Sequence, residues 1–160
     1  MSNIKVRQAT VDDSGFIMEM IRELAVYEKL EHEVVATQSD IEGSLFGEEA
    51  NAFAVICTLD DEPVGFALYF YNYSTWLGKN GLYLEDLYVS PKFRKCGAGK
   101  ALLKHLAQIA VSNNCGRFEW SVLDWNELAI NFYRSLGAKP MNGWVGYRLT
   151  GEALQALATD

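Results

Sequence analysis

Two adjacent carboxylates stand inside an otherwise apolar run, Leu82-Tyr83-Leu84-Glu85-Asp86-Leu87-Tyr88-Val89. Burying charge without a task is costly, so this pair is a candidate for proton transfer or for holding a cation. The apolar positions change parity across it: Leu82 and Leu84 share one phase, Leu87 and Val89 the other. A period-two strand keeps all four on one side only if one extra residue is inserted, which a β-bulge near Glu85-Asp86 supplies. The competing reading is a strand buried on both faces, in which parity carries no information. The two charges favour the bulge.

The next segment is Arg94-Lys95-Cys96-Gly97-Ala98-Gly99-Lys100. Glycines there let main-chain N–H groups approach an anion, and a helix beginning at that point adds the partial positive charge of its N-terminus. A Walker loop would need glycine at Arg94 and Ser or Thr at Ala101, and the dinucleotide fingerprint would need glycine at Leu102. The loop is therefore either a phosphate cradle of another kind or an ordinary glycine turn with a solvated basic cluster. A third segment, residues 124–138, opens on Asn126 and places Ala129, Phe132, Tyr133 and Leu136 on one helical face. Taken by pattern, Asn126 is an N-cap, and Tyr133 is a core aromatic whose hydroxyl finds a partner.

Positioning these segments requires alternating strands and helices. Residues 4–8 alternate like a strand, and Thr10 with Asp13 forms a capping box before a helix striped by Phe16, Ile17, Met20, Ile21 and Leu24 towards Tyr27. A short helix starts near Ser39-Asp40. Residues 52–59 and 64–73 form a hairpin about a turn at 60–63, residues 82–89 a fourth strand, and 100–113 a helix striped by Leu102, Leu103, Leu106, Ala107 and Ala110. Strands follow at 118–123 and 144–149, around a helix that ends at Gly137, and a terminal helix is capped by Thr150. The pattern predicts one α/β (α+β) domain over residues 1–160, with a mixed sheet and helices on both faces.

With 160 residues and 49% hydrophobic content, the chain can bury one core. Residues 1–7 pass into alternation without an apolar leader region, so export is not expected. Cys57, Cys96 and Cys115 are widely separated and lack metal-ligand spacing, which suits a reduced, cytoplasmic setting and predicts no metal site. A net charge of −7 disfavours nucleic acid and anionic membranes as partners and suits a cationic substrate.

Taken together and in this order, the three segments resemble the GNAT superfamily of N-acetyltransferases, whose R-x-x-G-x-G signature is matched by Arg94, Gly97 and Gly99. More narrowly, Tyr83-Leu84-Glu85-Asp86, Trp125-Asn126-Glu127, Asn131-Phe132-Tyr133 and Tyr27-Glu28 resemble the diamine acetyltransferases, of the spermidine/spermine or thialysine type. The resemblance implies the GNAT fold, a mostly antiparallel sheet with a bulged fourth strand, and acetyl-CoA as co-substrate. It implies that main-chain groups of Leu87, Tyr88 and Val89 pair with the pantetheine arm. Arg94, Lys95, Cys96, Gly97, Ala98, Gly99 and Lys100 then wrap the pyrophosphate, and Asn126 contacts the cofactor. Tyr133 matches the tyrosine beside the thioester sulfur. Tyr27, Glu28, Trp76, Glu85, Asp86 and Tyr147 correspond to positions around a cationic amine.

An amine must lose its proton before attack, which makes Glu85 the candidate base, with the Leu87 N–H on the acetyl oxygen and Tyr133 as acid for the leaving thiolate. Ser74 stands where the family has an acid before Trp76, Tyr147 where the closest members have Trp, and Leu128 replaces a proline. The Ser74 departure counts against long polyamines and leaves a shorter diamine or an amino-acid-like amine. The family also implies a homodimer, to which residues 144–149 could add edge contacts. Two further readings of the same machinery are acetylation of a protein or peptide amine, and a CoA-binding sensor without turnover.

Overall fold

The strand β1 (Ile4–Gln8) leads through the Thr10 capping box, whose main-chain N–H donates to Asp13 Oδ2 at 2.8 Å, into α1 (Ser14–Tyr27). Arg7 fixes the same carboxylate with two 2.8 Å bonds and holds it below the usual carboxylate range. Thr37 and Asp40 make a second capping box that starts α2 (Gln38–Phe46). The hairpin of β2 (Phe53–Leu59) and β3 (Glu62–Ser74) turns on Asp60 and Asp61, at φ 50° and 70°. Two successive positive φ values suit the right-handed twist of a hairpin. β4 (Lys79–Val89) runs back along β3, and α3 (Ala98–Ser112) follows it. β5 (Phe118–Trp120) then lies parallel to β4, completing a five-stranded sheet in the order β1-β2-β3-β4-β5, otherwise antiparallel.

This computed structural model describes residues 3–159. Met1 and Ser2, on which the expectation of an unexported start partly rests, and Asp160 lie outside the described residues. The chain falls into two compact units, residues 1–121 and 122–160. In the first unit, one sheet face carries Ala54, Ile56, Phe66 and Tyr88 against Ile17, Met18 and Met20 of α1 and Ile41 and Leu45 of α2. Both phases of β2 are buried, and the second phase lies towards α3, which packs along β1 to β4 through Leu102, Leu103, Leu106 and Ala110. Helices on both faces are thus present, as the hydrophobic stripes predict.

The second unit contains α4 (Glu127–Ser135) and α5 (Gly151–Thr159). Gly137, at φ 89°, ends α4 in the left-handed conformation. Two sequence expectations are corrected. The fifth strand ends at Trp120 rather than at 123, and residues 144–149 form no strand among the described residues. The first ladder stops where β4 bulges. In the second, Gly146 breaks the alternating run, and Trp144, Val145 and Tyr147 are all largely exposed, so no buried face holds an extended register.

Candidate acyl-transfer site

The pairing of β3 with β4 locates the bulge. Leu68 pairs with Asp86 and Tyr69 with Leu84, so Glu85 is the extra residue. Leu82, Leu84, Leu87 and Val89 consequently oppose Tyr71, Tyr69, Ala67 and Gly65, all of one phase of β3. The parity change in the sequence therefore reflects an inserted residue. Asp86 and Tyr88 oppose Leu68 and Phe66 and take the face of α1.

The bulge also ends the neighbouring ladder. β5 pairs with Leu82, Tyr83 and Leu84 and no further, with Tyr83 Oη and Ser121 Oγ 2.8 Å apart beside its last pair. From Asp86 to Val89 the outer edge of β4 has no strand partner among the described residues. An extended ligand can add to such an edge as a strand would.

Beyond that edge, Ser90 donates its N–H to Val64 O at 2.8 Å, and a 3-10 turn over Pro91–Phe93 delivers the glycine loop. Lys95 at φ 68° and Gly97 at φ 92° reverse the chain twice before α3 begins. The first intrahelical bond runs from Ala101 N–H to Gly97 O, 3.0 Å, so the N–H groups of Ala98, Gly99 and Lys100 precede the helical ladder. A Cβ placed on Gly99 would meet nothing within 4 Å. This is a concave, donor-rich turn with open space in front of it, flanked by Lys95 and Lys100. The Cys96 thiol donates to Phe93 O at 2.7 Å within the turn.

On the α1 side of β4, carboxylates gather. Burial, followed by repulsion from Glu85 and Glu28, pushes the half-buried Asp86 up to about 6. Burial also raises Glu28. Glu85 itself is exposed. Tyr27 ends α1 beside this cluster, and the Arg94 guanidinium lies over its ring at 5.2 Å and over that of Tyr88 at 5.4 Å. Arg94 Nε donates to Val89 O at 3.4 Å. The side chain expected on a pyrophosphate thus reaches the α1 side of the strand.

Glu23 is a neighbour that sequence reading missed. The Tyr88 phenol is raised chiefly by burial, opposed by Arg94 and reinforced by Glu23. A usable signal existed, since Glu23 lies one helical turn before Tyr27 and shares its face.

Trp76 does not join Tyr27, Glu28 and Asp86. It sits on the turn between β3 and β4 with Arg117 6.0 Å over its ring, and six β4 residues at about 3.3 Å each separate that turn from the bulge. Ser74, in place of the family acid, accepts the Leu77 N–H at 3.2 Å and serves that turn. In the second unit, Asn126 Oδ1 accepts the Ala129 N–H at 3.4 Å, an N-cap as its position suggests. Tyr133 is half-buried on α4 with its ring 5.9 Å from that of Phe132, and Tyr147 is exposed. No group of His, Cys, Asp and Glu suited to a metal occurs among the described residues. None of the described helices is long and apolar enough to cross a membrane.

A bulged strand with an open edge, leading into a donor-rich turn at a helix start, defines a class of acyl-transfer proteins. Residues 17–138 match the acetyltransferase (GNAT) family, a span that includes most of α1, the bulge, the glycine loop and α4. The chain is 39% identical to the thialysine N-ε-acetyltransferase of Mus musculus, with 99% of each chain covered. It is 33% identical to the L-ornithine N5-acetyltransferase of Arabidopsis thaliana, over 96% of this chain and 87% of that one. Among solved structures, an integron cassette protein from the mobile metagenome of V. cholerae superposes with a TM-score of 0.80 at 28% identity, covering 98% of each chain.

The chain belongs to the GNAT family and is an N-acetyltransferase. The family implies acetyl-CoA as co-substrate, and the turn at residues 94–100 fits its diphosphate by the donors and open space described above.

Proposed function

We propose that the protein moves acetyl from acetyl-CoA to the side-chain amine of a small, amino-acid-like acceptor, in a ternary complex. The observation that carries this reading is the insertion of Glu85, which opens the edge of β4 and sets two carboxylates beside that opening. Acetyl-CoA brings an already activated thioester, so no acyl-enzyme is required. Leu87, Tyr88 and Val89 offer main-chain partners along the pantetheine arm, and the Leu87 N–H polarises the carbonyl that is attacked. Residues 94–100 receive the diphosphate through their main chain.

Glu85, exposed at the bulge, takes the proton from the ammonium group directly or through water. Tyr27, Glu28 and Asp86 attract the cationic acceptor through one aromatic face and two carboxylates. The family pattern assigns Tyr133 the proton for the departing thiolate and Asn126 a cofactor contact. The names of the thialysine and ornithine relatives support an acceptor that is an amino acid with a terminal amine. Ser74, engaged in its own turn, leaves a long polyamine one carboxylate fewer. We also propose one catalytic domain over residues 1–160, a cytoplasmic location and, as the family resemblance implies, a homodimer.

A thiol-release assay with acetyl-CoA and an acceptor panel tests the reading. Thialysine or ornithine should turn over at least tenfold faster, by kcat/KM, than spermidine or a lysine-containing peptide. Peptide turnover above free amines would make this a protein acetyltransferase. Tight CoA binding with silence across the panel would make it a sensor.

A further inference from the structure

The loop that gathers main-chain donors for an anion sends its long cationic side chain the other way. Arg94 follows the 3-10 turn and lies against Val89 O, with its guanidinium over the rings of Tyr27 and Tyr88. Tyr27 closes α1, and Tyr88 is buried in the core beneath. Glu23 neighbours Tyr88, and Glu28 neighbours Asp86.

Two π faces with carboxylates nearby form the environment that an alkylammonium seeks, and a guanidinium satisfies the same chemistry. Two cations cannot share that volume. A diphosphate at residues 97–100, in contrast, offers the guanidinium charge-assisted, bidentate hydrogen bonds, which exceed a cation–π contact in strength. The same side chain is therefore wanted by both substrates' sites, and the anion is the stronger claimant.

We propose that Arg94 couples the two sites: over Tyr27 and Tyr88 it fills the acceptor's cation cage, and the diphosphate draws it away, so the amine site opens once CoA is bound. This rests on the acetyl-transfer reading above. It makes CoA and amine positively cooperative, and linkage requires that each raise the other's affinity by one common factor. Displacing a guanidinium from two rings should make that factor about tenfold.

The test combines NMR of labelled arginine side chains with calorimetry, using CoA and thialysine as probes. In the free protein, ring currents should shift the Arg94 side-chain resonances upfield, and saturating CoA should return them towards exposed-arginine values. Thialysine should bind the CoA complex about tenfold more tightly than the free protein. In Arg94→Gln, the free protein should already bind thialysine about tenfold more tightly than wild type does, with little further gain from CoA.

The proposal is overturned if the amides of residues 97–100 respond to CoA while the Arg94 side chain does not. It is equally overturned if free Arg94→Gln binds thialysine no better than wild type, complete absence of binding included. Loop amides that ignore CoA would instead bring down the acetyl-transfer reading, and this coupling with it.

Discussion

The two halves of β4 are built from similar residues and do different work. Before Glu85, Leu82 to Leu84 are paired on both sides, to β3 and to β5, and Leu82 and Leu84 are fully packed. After Glu85, Asp86 to Val89 keep only β3, and Leu87 and Val89 are half-buried. The first half is scaffold and the second has an open edge, which serves as a docking edge on the acetyl-transfer reading proposed above; a single inserted residue separates them. On that reading, function comes from interrupting a sheet while every apolar side chain keeps its face.

Deleting Glu85 should break that contrast most severely. The pairings Leu68 to Asp86 and Tyr69 to Leu84 would become consecutive, so the strand regains a regular ladder without any side chain changing face. The protein should fold, with a Tm within a few degrees of wild type, yet acetyl transfer should fall by about 10³-fold or more as the edge closes and the base is lost. Near-normal activity in a folded deletion variant would show that the bulge is incidental. Glu85→Gln keeps the bulge and removes only the carboxylate, so kcat should fall by about 10²-fold. The deficit should be largest at low pH, where the amine is hardest to deprotonate, and an unaltered pH profile of kcat would remove Glu85 from proton transfer.

Asp86 sharpens the comparison from the other direction, because it shows what the docking half costs in stability. Its folded pKa of about 6 lies above the ordinary 3.8, so between those values the unfolded chain releases the proton first and stability falls as pH rises. Asp86→Asn should therefore leave stability unchanged below about pH 4 and raise it by up to about 3 kcal/mol above pH 6. Wild type should show an amine KM that improves as Asp86 ionises through about pH 6, and the same variant should lose that improvement. Urea melts at pH 3.5 and 7.5, with KM measured across the range, check both effects. A gain in stability equal at the two pH values would mean that the carboxylate is not strained by its surroundings.

Much of this was legible in the chain itself. The parity change around Glu85-Asp86, the capping box of Thr10 and Asp13, the stripe from Phe16 to Leu24 and the glycines at 97 and 99 are local signals. Each reports a backbone requirement that its own neighbours create. The direction of the Arg94 side chain was not legible, because it depends on α1 and β4 meeting across the sheet, and nothing within residues 94–100 encodes Tyr27. Residues 144–149 failed for the opposite reason: alternation there looked like a strand, but a strand also needs a neighbour and a buried face. The positions that the resemblance places around an amine lay between these extremes. Tyr27, Glu28 and Asp86 lie near one another on the α1 side of β4, whereas Trp76 lies at the distant end of the hairpin.

The two loop glycines offer the smallest effect and the cleanest separation of folding from binding. Gly97 sits at φ 92°, where a side chain strains the backbone, although the nearest atom to an added Cβ, Ile4 Cδ1, is a comfortable 3.7 Å away. Gly97→Ala should therefore lose about 1–2 kcal/mol of stability from conformation alone. Gly99 lies in the first turn of α3 with ordinary helical geometry and nothing within 4 Å of an added Cβ. Gly99→Ala should change stability by only a few tenths of a kcal/mol, with the sign favouring alanine as the better helix former. Its methyl group, however, enters the space in front of the Ala98, Gly99 and Lys100 N–H groups, so the dissociation constant for CoA should rise about tenfold. Thermal melts and CoA calorimetry on the two variants distinguish these effects. If Gly99→Ala bound CoA as tightly as wild type, the diphosphate would not approach the start of α3, and the docking half of β4 would lead elsewhere.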